Sequence, residues 1–214
     1  MTRVKICGIT NHEALFSVIE NGADFVGFVF AENSPRTLSS TQAAALWDSL
    51  SEHQQDSIRS VGLFVNPTID QIHQVIDDIQ LHMIQLHGNE SPAFVTEVKN
   101  ATDLPVIKAL RIETAHDLKQ IKQYQNVSDW LLLDSKVEGL QGGTGHSFDW
   151  SLLNDIEVKV PWMLAGGLHP GNVALALSQI SPDAVDVSSG VESSAGVKSP
   201  QKIADFIAAA KQTG

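Results

Sequence analysis

The chain has 214 residues, 43% of them hydrophobic and 18% charged, with one cysteine and a formal net charge of -11. That much apolar material builds one large core and excludes a disordered chain. The acidic balance argues against nucleic acid and anionic membrane as partners, and a lone cysteine with no internal disulfide fits a reducing, cytoplasmic setting.

No charged start leads into a short apolar stretch, and no run of about 18 apolar residues occurs, so neither a signal peptide nor a membrane span is expected. Apolar runs bounded by turn residues read as strands, and polar stretches with helical spacing between them read as helices. The first strand spans Val4 to Cys7, and its helix runs over about Glu13 to Asn21, capped by Thr10 or Asn11 and ended by Gly22. The second, Phe25 to Phe30, is continuously apolar, as a strand covered on both faces should be. A loop with Ser34-Pro35-Arg36 leads to a helix from about Thr41 to Leu50. Strand three is Val61 to Val65, followed by a helix over Ile69 to Ile79, and strand four is His82 to Leu86, followed by a helix that Pro92 can open.

Strand five is Val106 to Leu110, with a helix from about Ala115 to Tyr124 capped by Thr114. Strand six, Trp130 to Leu133, ends on Asp134-Ser135 and leads into the glycine-rich segment Gly139 to Gly145. Strand seven is Trp162 to Ala165, ending in Gly166-Gly167. Strand eight is Ala184 to Val187, ending in Ser188-Ser189-Gly190 before a last helix over about Pro200 to Ala210. Eight strands alternating with about eight helices, with no linker between them, predict an α/β fold: a single-domain (β/α)8 TIM barrel over residues 1–214. A doubly wound open sheet is the alternative.

In such a barrel the C-terminal ends of the strands share one rim, which here would carry Cys7, Arg36, His87 and Asp134. Glycine turns follow strands six, seven and eight: Gly143-Thr144-Gly145, Gly166-Gly167 and Ser188-Ser189-Gly190. Main-chain N–H groups converging there can bind a phosphate without any Lys or Arg, although the same glycines could simply make tight turns. Cys7 is either a small buried hydrophobe or, with its pKa lowered, a base or nucleophile. Asp134 closes the most apolar strand, where an acid is either structurally paired or kept for proton transfer. Arg36 could clamp a carboxylate with its planar fork, or be a solvated loop charge.

The histidines, His87, His146 and His169 included, show no metal-ligand spacing, so no metal site is expected. Trp47, Trp130, Trp150 and Trp162 read as packing residues. No dinucleotide fingerprint, P-loop or nucleophile elbow occurs.

Eight segments together resemble the phosphoribosylanthranilate isomerase family of tryptophan biosynthesis. They are KICGIT (5–10), SPR (34–36), GLFVN (62–66), QLHG (85–88), LLLDS (131–135), GGTGHSFDW (142–150), LAGGLHPGNV (164–173) and DVSSGVE (186–192). The resemblance implies an Amadori rearrangement of N-(5-phosphoribosyl)anthranilate, with Cys7 as general base and Asp134 as general acid. It further implies that Arg36 holds the substrate carboxylate, that the turns at 143–145, 166–167 and 188–190 hold its phosphate, and that no cofactor is needed. His87 belongs to the family pattern and would line the pocket. The oligomeric state, monomer or homodimer, stays open. So do two other functions, a sugar-phosphate epimerase or aldolase and a phosphate-binding module without catalysis. Against the first stands the absence of a metal set or of a Schiff-base lysine at a strand end, since Lys5 and Lys108 fall inside strands. Against the second stands the presence of both Cys7 and Asp134.

Overall fold

The computed structural model describes residues 2–134, 150–153 and 156–212. Eight parallel strands close into a barrel in chain order: β1 (Arg3–Cys7), β2 (Phe25–Val29), β3 (Arg59–Phe64), β4 (Met83–Leu86), β5 (Val106–Arg111), β6 (Trp130–Asp134), β7 (Trp162–Ala165) and β8 (Ala184–Val187). The ring is shut by β1 against β8, with Arg3 opposite Ala184, Lys5 opposite Asp186 and Ile6 opposite Val187. An open sheet is thereby ruled out.

Around the barrel lie α1 (His12–Glu20), α2 (Ser40–Asp48), α3 (Glu52–Asp56), α4 (Ile69–Asp78), α5 (Pro92–Thr102), α6 (Lys119–Tyr124), α7 (Val173–Gln179) and α8 (Pro200–Lys211). Both α2 and α3 lie between β2 and β3. Side-chain caps start most of these helices. Asn11, Ser39, Ser51, Thr68, Ser91 and Ser199 each accept a hydrogen bond from an N–H of the first turn, which contributes about 1 kcal/mol per cap. Pro92 and Pro200 occupy the first turn, where a missing N–H costs nothing.

Two local expectations are corrected. The helix after β5 starts at Lys119 rather than Ala115, and Thr114 is not its cap. The Asp117 carboxylate accepts hydrogen bonds from the N–H groups of Glu113 and Thr114 and from the Thr114 hydroxyl, which fixes a turn where the sequence pattern suggested helix. The segment after β8 is not a simple turn. It runs through a short 3-10 turn, Ser189–Val191, into a small antiparallel hairpin, β9 (Glu192–Ser194) and β10 (Val197–Lys198).

Alternation along the strands sorts the core into two shells. Residues facing outward, such as Val4, Ile6, Val26, Phe28, Leu131 and Leu133, pack under the helices. The inward set fills the barrel with Phe25, Val61, Met83, Ile107, Trp130, Leu132 and Met163, and ends at the rim with Cys7, Val29, Ala31 and Leu63. Trp47, Trp130, Trp150 and Trp162 are all buried. Arg3 caps the lower end, its guanidinium 4.4 Å from the centre of the Trp130 ring. No helix among the described residues is long and apolar enough to cross a membrane.

Candidate active site

A cavity of about 350 Å³ opens at the C-terminal end of the barrel. Cys7, Arg36, His87 and Asp134 line it, together with Gly166 and Gly167 from the end of β7 and Ser188, Ser189 and Gly190 from the end of β8. Every predicted site residue that falls within the described residues is therefore on one wall or another of this cavity. Gly143, Thr144 and Gly145, predicted as a third part of the phosphate site, lie outside the described residues, as does His146.

Cys7 ends β1 with 3% of its surface exposed. The chain turns away immediately after it at Gly8, whose φ of +80° is in the left-handed region and whose α-carbon lies so close to Arg36 that a Cβ would stand 2.5 Å from Cδ. This turn lets the loop arginine pack against the end of β1, beside the cavity that Cys7 lines. The Arg36 fork makes two parallel hydrogen bonds to Glu192 on β9, Nε to Oε1 at 2.6 Å and Nη2 to Oε2 at 2.8 Å. Glu192 also accepts from Lys198 Nζ at 2.8 Å and from the Gly196 N–H at 3.2 Å. Lys198 in turn donates to the carbonyl and hydroxyl of Ser188. The hairpin thus ties the arginine to the β8 turn.

These contacts set the local electrostatics. Burial would raise the Glu192 carboxyl, but hydrogen bonds from Arg36 and Lys198 outweigh it and bring it down to about 2. The hydrogen bond to Glu192 raises the Arg36 guanidinium further above its ordinary value. Burial pushes the Cys7 thiol up. Lys5 and Lys198 pull it back and Asp186 adds to the rise, with a net upward direction.

Asp134 ends β6 across the cavity, with His87 Nε2 at 3.5 Å from its Oδ2. Behind the imidazole, Gln85 Nε2 is 2.9 Å from Nδ1. The Gln85 amide thus fixes the orientation of the ring, with Nε2 turned toward the carboxylate. Gln85 is fully buried, and its Oε1 has no hydrogen-bond partner among the described residues.

The turns after β7 and β8 are built as one unit. Leu168 places its carbonyl so close to Gly190 that a Cβ there would meet it at 1.8 Å. Asn172 holds the first turn from within, accepting from the His169 N–H and donating to the Gly167 carbonyl. Backbone N–H groups so fixed can receive an anion without reorganising.

Sequence reading missed four charged residues here: Lys5, Asp186, Glu192 and Lys198. Lys5 and Asp186 form an ion pair of 2.8 Å inside the barrel. Their signal was a Lys two positions before Cys7, on the same face of one strand, and an Asp at an inward position of another. Lys108, by contrast, faces the helices and pairs with buried Glu90 at 2.8 Å. Each of these two lysines is thus paired with a carboxylate. Among the described residues no group of three His, Cys, Asp or Glu could hold a metal ion.

Residues 4–209 match the family model described as N-(5'phosphoribosyl)anthranilate (PRA) isomerase. An N-(5'-phosphoribosyl)anthranilate isomerase of Paracoccus denitrificans is 45% identical over 210 residues, which cover 97% of this chain and 96% of the relative. The crystal structure of phosphoribosyl anthranilate isomerase from Thermotoga maritima superposes with a TM-score of 0.89 at 38% identity, covering 99% of this chain and 100% of that one. A crystal structure of a phosphoribosyl anthranilate isomerase in complex with reduced 1-(o-carboxyphenylamino)-1-deoxyribulose 5-phosphate gives a TM-score of 0.85 at 37% identity, with the same coverage.

Proposed function

The chain belongs to the N-(5'-phosphoribosyl)anthranilate isomerase family, and from that premise we propose how its cavity isomerises N-(5-phosphoribosyl)anthranilate to 1-(2-carboxyphenylamino)-1-deoxyribulose 5-phosphate in tryptophan biosynthesis. The observation that carries the proposal is the convergence of the Cys7 thiol, the Asp134 carboxyl group, the Arg36 guanidinium and the two glycine-bearing turns after β7 and β8 on a single cavity, which Asp186 also lines.

Asp134, as the acid, protonates the furanose ring oxygen. The C1–O bond breaks, the anilino nitrogen supplies its electron pair, and a protonated Schiff base remains. Cys7, as thiolate, removes the C2 proton, and those electrons move into the C1–C2 bond to give an enolamine. The C2 hydroxyl then loses its proton and C1 gains one, which leaves the ketone. The substrate nitrogen is the electron sink, so the chemistry calls for no cofactor. The opposed tasks suit opposed environments, one group buried among cations and the other on a polar rim.

Arg36 holds the anthranilate carboxylate through the guanidinium edge that Glu192 does not occupy. The turns at 166–167 and 188–190, with 143–145, hold the phosphate, and His87 orients Asp134. The protein so described is a cytoplasmic enzyme acting on a small molecule. A fluorescence assay with substrate generated in place tests the activity, and a folded wild type without turnover contradicts it.

A further inference from the structure

Lys5 stands two positions before Cys7 on β1, so the two side chains leave the strand on the same inward face. Its ammonium is completely buried, 2.8 Å from Asp186 Oδ1, and its charge acts on the Cys7 thiol. Cys7 and Asp186 line the cavity, and Lys5 lies behind them. Taking two ions out of water is costly, and an uncharged side chain of the same length would fill the same space. Packing therefore does not account for this pair.

We propose that Lys5 is a positioning residue for the isomerisation: its ammonium, held by Asp186, lies beneath the Cys7 sulfur and stabilises the thiolate that takes the substrate proton. The proposal rests on the reading of Cys7 as the base.

The charged and titratable groups facing the sulfur come from every element around it. They are Lys5 on its own strand, Asp186 on β8, Lys198 on β10, Arg36 on the loop after β2, and His87 and Asp134 across the cavity. Arg36 and Lys198 are both engaged by Glu192. Lys5 is the strongest counterweight to the burial of the thiol, and Asp186 opposes it by less. Asp186 nevertheless serves the arrangement. Burial alone would drive the Lys5 ammonium toward its neutral form; the Asp186 carboxylate first, and Cys7 after it, turn the net direction upward and favour the charged form.

The test follows the rate of alkylation of the single cysteine by iodoacetamide against pH, in wild type, Lys5→Met and Lys5→Met/Asp186→Asn. The double variant replaces both ions by neutral groups of similar size, so it stays filled and satisfied if the single variant fails to fold. Loss of the ammonium raises the alkylation midpoint by about one pH unit or more in Lys5→Met, and by less in the double variant. The kcat/KM for isomerisation falls roughly tenfold near neutral pH and recovers toward wild type as the pH is raised. A merely structural role would lower it at every pH. A folded double variant whose midpoint equals or lies below that of wild type overturns the proposal. The reading of Cys7 as base fails separately, through turnover by Cys7→Ala, and the alkylation midpoints then still decide whether Lys5 controls the thiol.

Discussion

Arg36 meets Glu192 edge to edge, with hydrogen bonds of 2.6 and 2.8 Å between residues 156 positions apart in the chain. The pair aims the guanidinium before any substrate arrives. Glu192→Gln should raise KM about tenfold with little change in kcat, because it loosens the aim and leaves the charge in place. Arg36→Met should raise KM about tenfold to a hundredfold, the worth of charge-assisted hydrogen bonds to a carboxylate. Steady-state kinetics decides, and an unchanged KM in Arg36→Met removes the arginine from the site.

The same carboxylate gives stability a pH dependence with a definite sign. Glu192 is held at about 2 in the folded protein, against about 4.3 in an unfolded chain. Its contribution is complete above the unfolded value and is lost as pH falls through the folded one. Urea unfolding between about pH 5 and pH 2 should therefore show a fall in stability that Glu192→Gln flattens. An identical acid limb in the variant contradicts the pairing.

Cys7 carries a prediction for the rate profile. Its thiol is raised in the free protein, chiefly by burial, and kcat/KM reports the free enzyme. A base with a raised pKa gains activity as pH rises, so the basic group in the kcat/KM profile should titrate above the ordinary cysteine value of about 8.5. A midpoint near 6 assigns the base to another group.

Glycines in the turns after β7 and β8 differ in what they tolerate. At Gly190 a Cβ would meet the Leu168 carbonyl at 1.8 Å, so Gly190→Ala must push the two turns apart, at a cost of about 1–3 kcal/mol and with a rise in KM. Gly167, at φ +66°, has nothing within 4 Å of where a Cβ would stand. Gly167→Ala should cost only the backbone strain, about 1–2 kcal/mol, with a smaller effect on KM. Thermal unfolding and kinetics on the two variants measure the contrast.

Much of the barrel could be read from sequence because its strands are short apolar runs closed by turn residues. Trp162 to Ala165 and Ala184 to Val187 are observed with the predicted bounds. The helix after β5 was placed too early because the competing signal was a side chain, Asp117, accepting from a turn that looked helical. The hairpin after β8 escaped because Glu192–Ser194 and Val197–Lys198 have no alternation long enough to announce a strand. Cys7, Asp134 and the turns at 166–167 and 188–190 were legible as local signals at strand ends. Lys5 with Asp186 was not, since the pair spans 181 positions and exists only once the barrel closes.

The central claim is that Asp134 gives a proton and Cys7 takes one. The most direct measurement is turnover by Cys7→Ala and Asp134→Asn in the fluorescence assay, beside equilibrium binding of reduced 1-(o-carboxyphenylamino)-1-deoxyribulose 5-phosphate. Each variant should lose at least about 10²–10⁴-fold in kcat while binding the analogue within a few-fold of wild type. Near wild-type turnover by either variant contradicts the role given to that residue.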